Sequence, residues 1–420
     1  MNSFNDHVFA LPDDLTNSGS TTYGKDFLIE QVHSLLNFAK GAYQSNGGFG
    51  YLDSTGVVDP AKPREAYIQC RMTQVFALSH GLGLTDERDL ISHGVKSLND
   101  LFKDSQFGGF FNSIDQYGNP ISKVKLGYDH FFVLLAATSA MKIGIPGAGE
   151  LFENIDAIVD KYFWNDEYEM MNNSWDLEFK NLNPYQGINA NMHAVEALTA
   201  AYDVTKNSKF HDRAMEITSR TINVFARNNG WMLPEHFNSH WKPDLNFNIS
   251  NPADPFCPYG VTIGHLFEWS RLTIQLHLQI PNPTPRHDWM LEAAKNLYQT
   301  AKKYGWEVDA HPGFVYTVDW DGKPVVSARM HWVAAEAVMA AYVLWKVTGS
   351  DEYLGDYDIW WRYIDHYVLD KINGSWHHEL DQSLTVSSGT WSGKPDVYHA
   401  FNAVLLPLIP MNPSFIGSLI

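Results

Sequence analysis

NMHAVEALTAAYDVTKNSKFHDRAMEI (191–217) and MHWVAAEAVMAAYVLWKVTGSDEYLGDYDIWW (330–361) decide the architecture of this 420-residue chain. Each reads as an apolar helix pattern, a short turn and a second helix pattern, and a histidine stands at the head of each first helix. The same arrangement recurs at six polar anchors, Arg71, His130, His193, His265, His331 and His399, spaced 59, 63, 72, 66 and 68 residues apart. Self-similarity at a near-fixed period identifies one supersecondary unit stacked on itself. Here the unit is a helix hairpin, and short connections make neighbouring helices antiparallel. Repeated hairpins along the chain give about twelve helices. The economical closure is an all-α fold, a single (α/α)6 barrel, with the anchor-bearing helices inside and their anchors at one mouth. Runs such as VAAEAVMAAYVL (333–344) lack a polar face, as expected of a helix buried on every side.

Between repeats lie segments rich in Gly, Pro and aromatic residues: 47–60, 107–121, 312–326 and 374–391. Turn residues flanked by β-branched and aromatic residues predict short β-hairpin loops, which would line one rim. PEHFNSHWKPDLNFNISNPADPFCPYG (234–260) is the longest stretch without periodicity and leads into His265, so it is expected to form a wall or lid of the site. The expected organisation is an irregular arm over 1–24, the barrel over 25–410 and a tail over 411–420.

Composition narrows the function. The chain is 45% apolar with a net charge of −18 and no basic patch, which argues against nucleic acid and anionic membranes as partners. No run reaches the length of a membrane span. Two distant cysteines, Cys70 and Cys257, suit a reducing compartment, and no secretory leader is recognisable, so a cytoplasmic location is expected. The oligomeric state is not readable.

Five of six anchors are histidines, the side chain suited to proton transfer near neutral pH. His193 and Glu196, and His265 and Glu268, share a three-residue spacing that puts each pair on one helix face. A carboxylate fixes an imidazole's tautomer and raises its basicity. An isolated pair of this kind is more often a satisfied core contact. Two of them at corresponding repeat positions, with His331 and His399 at two more, favour chemistry. Three other readings compete. Converging His and Glu residues could bind a metal, although no His-Glu-x-x-His motif or Cys pair is present. Glu196, Glu268 and Glu336 could supply a glycosidase's two carboxylates. The aromatic residues near the anchors, Tyr67, Tyr128, Trp332, Trp391 and Tyr398 among them, could serve a sugar-binding protein without catalysis. Arg71 could stabilise an oxyanion or merely neutralise a buried glutamate.

RMTQVFALSHGLG (71–83), GYDHFFVLLAATSA (127–140), GINANMHAVEALTAAYDVTKN (187–207), GHLFEWSRLTIQLH (264–277), FVYTVDWDGKPVV (314–326) and GKPDVYHAF (393–401) together resemble the N-acylglucosamine 2-epimerase superfamily, over about residues 25–410. Within it they are most similar to the aldose–ketose isomerases of free mannose or sulfoquinovose. The resemblance implies an (α/α)6 barrel and catalysis without metal or other cofactor on an open-chain monosaccharide. It implies that His265 and His399 are the general acid/base pair and that His193 assists ring opening. Arg71 and Glu268 would hold substrate oxygens. Tyr128 and Asn189 would bind hydroxyls; Tyr67, Trp332 and Trp391, which stand near the anchors in the sequence, are expected to complete the sugar site. The expected reaction interconverts D-mannose and D-fructose, with related aldoses such as D-lyxose as further substrates. A 2-epimerase and a sulfoquinovose isomerase are the alternatives. The loop ADPFCPYG (253–260) has no basic residue to meet a sulfonate, and Lys394 and Arg329 are the nearest motif-linked cations.

Overall fold

A computed structural model describes residues 23–419. Most of the expected arm, residues 1–22, and residue 420 lie outside the described residues. Six inner helices run Ala66–Gly81 (α2), Gly127–Lys142 (α4), Ile188–Thr205 (α6), Ile263–Leu278 (α8), His331–Thr348 (α10) and Tyr398–Leu405 (α12). Six outer helices run Lys25–Ala39 (α1), Arg88–Ser97 (α3), Ala148–Ile158 (α5), Ser208–Thr218 (α7), Asp288–Gly305 (α9) and Asp351–Tyr363 (α11). Each of the first five inner helices packs on the outer helix that follows it, and α12, the last, packs on α1, the first. The first and last of these twelve helices thus make the sixth hairpin.

Patterning explains which helix goes where. In α10 every residue from Val333 to Leu344 is buried, and alanines let neighbouring backbones approach. In the outer α3 only Ile91, Gly94, Val95 and Ser97 are buried, one face of an amphipathic helix. The outer helices α3, α5, α7 and α11 end in π-helical turns that deliver the chain to the rim. There the hairpin loops pair in short antiparallel ladders, such as 64–65 with 113–114 and 186–187 with 236–237.

The rim carries a repeated backbone bond. The first N–H of each of the first five inner helices donates to a carbonyl of the next loop: Ala66 to Asn112, Gly127 to Asn173, Ile188 to Glu235, Ile263 to Tyr316 and His331 to His378, at 2.8–3.1 Å. These bonds occupy N–H groups that a helix leaves unpaired, and they fix the true register of the repeat. In that register Arg71 and His193 are sixth residues of their helices, His130 a fourth, His265 a third, His399 a second and His331 a first. The anchors are therefore not equivalent, and the two His-x-x-Glu pairs stand three positions apart rather than at corresponding ones.

His130 does not face the mouth. Its Nδ1 lies 2.7 Å from the Leu126 carbonyl, and its Nε2 accepts from Phe110 N–H at 3.0 Å. Gln69 and Asn191, the equivalent fourth residues, make the same kind of bond to Phe49 and Met171, each twenty residues upstream. His130 belongs to this structural row, and burial pushes its pKa down to about 3. The segment assigned as a tail packs under the far end of the barrel: Ser414 Oγ donates to Asp203 at 2.5 Å, and Phe415 and Ile416 are buried. No helix among the described residues is long and apolar enough to cross a membrane. Cys70 and Cys257 are free thiols.

Candidate active site

The inner helices open at the rim into one cleft of about 670 Å³, open solvent at its mouth included. The second residues of the six helices are Tyr67, Tyr128, Asn189, Gly264, Trp332 and His399, and the sixth are Arg71, Phe132, His193, Glu268, Glu336 and Ala403. The first set stands at the rim and the second about one turn deeper, at the floor; of these, Gly264, Phe132, Glu336 and Ala403 do not line the cleft itself. Gly264 makes room for its neighbour, since a Cβ there would lie 2.2 Å from the Trp332 ring. Trp332 is thereby placed against two imidazoles, with ring centroids 5.2 Å from His265 and 5.8 Å from His399. All ten residues expected at the site, His265, His399, His193, Glu268, Arg71, Tyr128, Asn189, Tyr67, Trp332 and Trp391, line this cleft.

Their partners differ from the sequence expectation. His265 Nδ1 is 3.0 Å from Glu235, not paired with Glu268. His399 Nδ1 is 2.9 Å from Glu336. Each carboxylate can accept from Nδ1, which leaves Nε2 as the ring nitrogen available for proton transfer. Burial, then the charge of Arg71, holds His399 well below the usual histidine range, so it is neutral and able to accept a proton. His193 Nδ1 lies 3.5 Å from Glu196 and 3.9 Å from Glu268, and burial lowers its pKa to about 4.

Arg71 neutralises neither Glu196 nor Glu268. Its Nη1 is 3.1 Å from Asp396, its Nη2 donates to Tyr128 Oη at 2.8 Å, and the rings of Phe132, Tyr398 and Tyr67 surround it at 4.7–5.1 Å. Asp396 also accepts from Tyr398 N–H at 2.9 Å, tying Arg71 to the start of the helix that bears His399.

The cation for the floor is Arg271, 2.9 Å from Glu336 and 3.6 Å from Glu268. One guanidinium cannot compensate three buried carboxylates. Against the burial that raises it, His193 and Arg271 hold Glu196 at about 2. Burial and the charge of Glu336 push Glu268 well above the usual carboxylate value, which favours its protonated form, and its Oε1 makes no hydrogen bond among the described residues. Two sets, His193, Glu196 and Glu268, and Glu268, Glu336 and His399, bring three ligand-type atoms within 4.8 Å of one another, close enough for a metal ion. Arg271 already stands against both through Glu268 or Glu336, and its charge opposes a second cation there.

The sequence reading missed Glu235, Arg271, Tyr316, His378 and Asp396. Glu235, Tyr316 and His378 are the loop residues whose carbonyls receive the helix-opening bonds, and they form a second functional ring. Their signal is positional, 47, 53 and 47 residues after a helix start. In the long loop, Pro255, Phe256 and Pro258 line the cleft as expected of a wall. Phe256, 43% exposed, meets Trp391, Tyr128 and Tyr67 at 5.3–6.1 Å and caps the mouth. The Cys257 thiol turns away, to 3.5 Å from Tyr185 Oη.

A closed ring of helix hairpins with one blind cleft and two carboxylate-backed imidazoles defines an acid–base enzyme of the (α/α)6 barrel class. Comparison with known proteins specifies the group. A profile of the family described as N-acylglucosamine 2-epimerase (GlcNAc 2-epimerase) matches residues 47–403. A D-mannose isomerase of Thermobifida fusca is 41% identical over 94% of this chain and 96% of its own length. A D-mannose isomerase of Pseudomonas cannabina pv. alisalensis is 40% identical over 92% of each. A crystal structure of a D-mannose isomerase superposes with a TM-score of 0.86 at 27% identity, covering 93% of this chain and 99% of that one. The chain belongs to the N-acylglucosamine 2-epimerase family.

Proposed function

We propose that this enzyme is an aldose–ketose isomerase that interconverts D-mannose and D-fructose. The observation that carries the reading is the pair His265–Glu235 and His399–Glu336 flanking Trp332, supported by the D-mannose isomerase relatives over nearly the whole chain. The reaction moves hydrogen between neighbouring carbons. One neutral imidazole removes the C2 proton while O1 is protonated, giving an enediol. O2 then loses its proton as C1 gains one. His265 and His399 are the acid/base pair for these transfers, each stabilised as imidazolium by its carboxylate. Arg71 and the protonated Glu268 hold the oxygens on which negative charge develops. His193 assists ring opening.

Polar atoms in the cleft suit a polyol: Asn189 Oδ1, Glu268 Oε1 and Trp391 Nε1 are buried without a hydrogen bond among the described residues, and sugar hydroxyls would supply one. Tyr67, Tyr128 and Trp332 supply faces and edges for the carbon chain. A neutral sugar is favoured, because the alternative cations are engaged elsewhere. Lys394 is 2.6 Å from Asp370, and Arg329 forks onto Asp309. No metal or cofactor is required by this chemistry.

Incubation with D-mannose tests the reading. Fructose as product supports it. Glucose without fructose would make the protein a 2-epimerase that returns the proton to C2, and no conversion would leave a sugar binder.

A further inference from the structure

His331 lines the cleft but takes no part in the proton transfers above. Its backbone N–H and its Nδ1 both face the His378 carbonyl, at 3.1 and 3.3 Å. A carbonyl only accepts, so Nδ1 carries the hydrogen and Nε2 is a bare lone pair. The side chain is 6% exposed and Nε2 has no partner. The ring is stacked on His378 at 3.7 Å and 19°, and His378 is itself held by its Nε2, 3.2 Å from the Asp396 carbonyl. Two further features separate His331 from His193, His265 and His399. Among the described residues no carboxylate is within hydrogen-bond reach of it, and its face is covered by a second imidazole. Protonation would therefore place a charge with no direct partner in a buried stack, and burial lowers its pKa to about 4. The group is a fixed acceptor, not a shuttle.

A buried lone pair that nothing among the described residues satisfies wants a donor from the ligand. The ligand class of this cleft is a polyol, rich in such donors. We infer that His331 is a specificity-determining residue whose Nε2 accepts the hydrogen bond of one hydroxyl of the open-chain aldose beyond the reacting C1–C2 pair. The inference rests on the aldose–ketose reading and deepens it. Trp332, the next residue, contacts both catalytic imidazoles. A hydroxyl fixed on His331 would therefore set where C1 and C2 lie along that row.

The test is a cycle between the protein and the substrate. His331→Phe keeps a flat ring against His378 and removes the lone pair. Wild type and H331F are assayed with D-mannose and its 3-, 4-, 5- and 6-deoxy analogues. Wild-type turnover of mannose to fructose tests the function itself, independently of the cycle. For His331, one deoxy position should lower the wild-type kcat/KM by about 10–100-fold, the effect of leaving a buried acceptor unpaired. H331F should lose a similar factor on mannose and almost none further on that analogue. His331→Gln, which retains an acceptor, should recover part of the mannose activity and the same deoxy discrimination. A loss spread evenly over all five sugars would show that His331 only secures the start of α10, and unchanged kinetics would remove it from the site. Either overturns the inference. If H331F is not folded by circular dichroism, His331→Leu replaces it in the same cycle, and the same two results would overturn the inference.

Discussion

Replacing Glu235 by Gln separates the two jobs of a carboxylate behind a catalytic histidine. Glu235 is buried, and His265 Nδ1 is the partner of its Oε1 at 3.0 Å. Glutamine keeps the shape and can still accept from Nδ1, so the tautomer and the ring position survive. What disappears is the negative charge facing the imidazolium that exists only while the proton is in transit. A hydrogen bond to a charged group contributes about 1.5–3 kcal/mol and a neutral one about 0.5–1.5, so the difference is about 1–2 kcal/mol. At about 1.4 kcal/mol per factor of ten, kcat should fall about 5–30-fold. The charge is called on only once the proton has moved, so KM should change by less than about twofold. Initial rates of fructose formation across a mannose concentration series measure both constants. Exchange of the C2 hydrogen with solvent deuterium, followed by NMR, should slow by the same factor as kcat. An unchanged kcat, or a defect confined to KM, would refute the claim that Glu235 acts through His265 on the transition state.

Three other outcomes are expected. His399→Asn should lower kcat by about 10²–10⁴, the range for losing a general acid or base, with the circular dichroism spectrum unchanged; near-normal turnover would remove His399 from the mechanism. Mannose should be turned over with a far higher kcat/KM than sulfoquinovose, and Pro255→Arg should narrow the gap. Cys257→Arg should not, because that side chain points toward Tyr185 rather than the cleft; a wild-type preference for the sulfonated sugar would contradict the charge argument. Asp129 is wholly buried, and burial pushes its pKa up to about 8, so the folded state holds it protonated where the unfolded chain ionises it. Stability should therefore decline as pH rises from about 4 to about 8. Asp129→Asn should raise the Tm most at pH 8 and progressively less toward pH 4, and a pH-independent difference in thermal melts would exclude this.

Metal independence calls for a separate measurement, since two buried triads have ligand spacing. Prolonged dialysis against a strong chelator should leave the rate unchanged, and activity restored by zinc or manganese would mean that a cation displaces Arg271.

The helix pairs are legible in the sequence because a 3.6-residue apolar period and short turns are local signals. Register is not. Anchoring the repeat on histidines mixes His130, a structural tie, with His399, a member of the wall, because residue type does not track position in the helix. The first three inner helices start 61 residues apart, a stricter period than the anchors show, and the loop 234–260 then lengthens the next interval. The ten expected residues converge as anticipated, since the rim and the floor each draw one residue from every hairpin. Their partners stay hidden because each is non-local. Glu235 lies thirty residues before His265 and Glu336 sixty-three before His399, so helical spacing suggests Glu268 for a role that a loop fills. Arg271 is visible at three residues from Glu268, but its second partner, Glu336, comes from another helix.

The hairpin formed by α1 and α12 ties function to the order of synthesis. A ribosome that has delivered everything up to Tyr398 has made five of the six hairpins, most of the cleft wall and the whole arginine–glutamate floor, yet the chain still lacks His399. The missing piece is a single short helix, and its outer partner, α1, was made before the other eleven. With the role proposed for His399, turnover of sugar therefore waits until α12 has come round to meet α1.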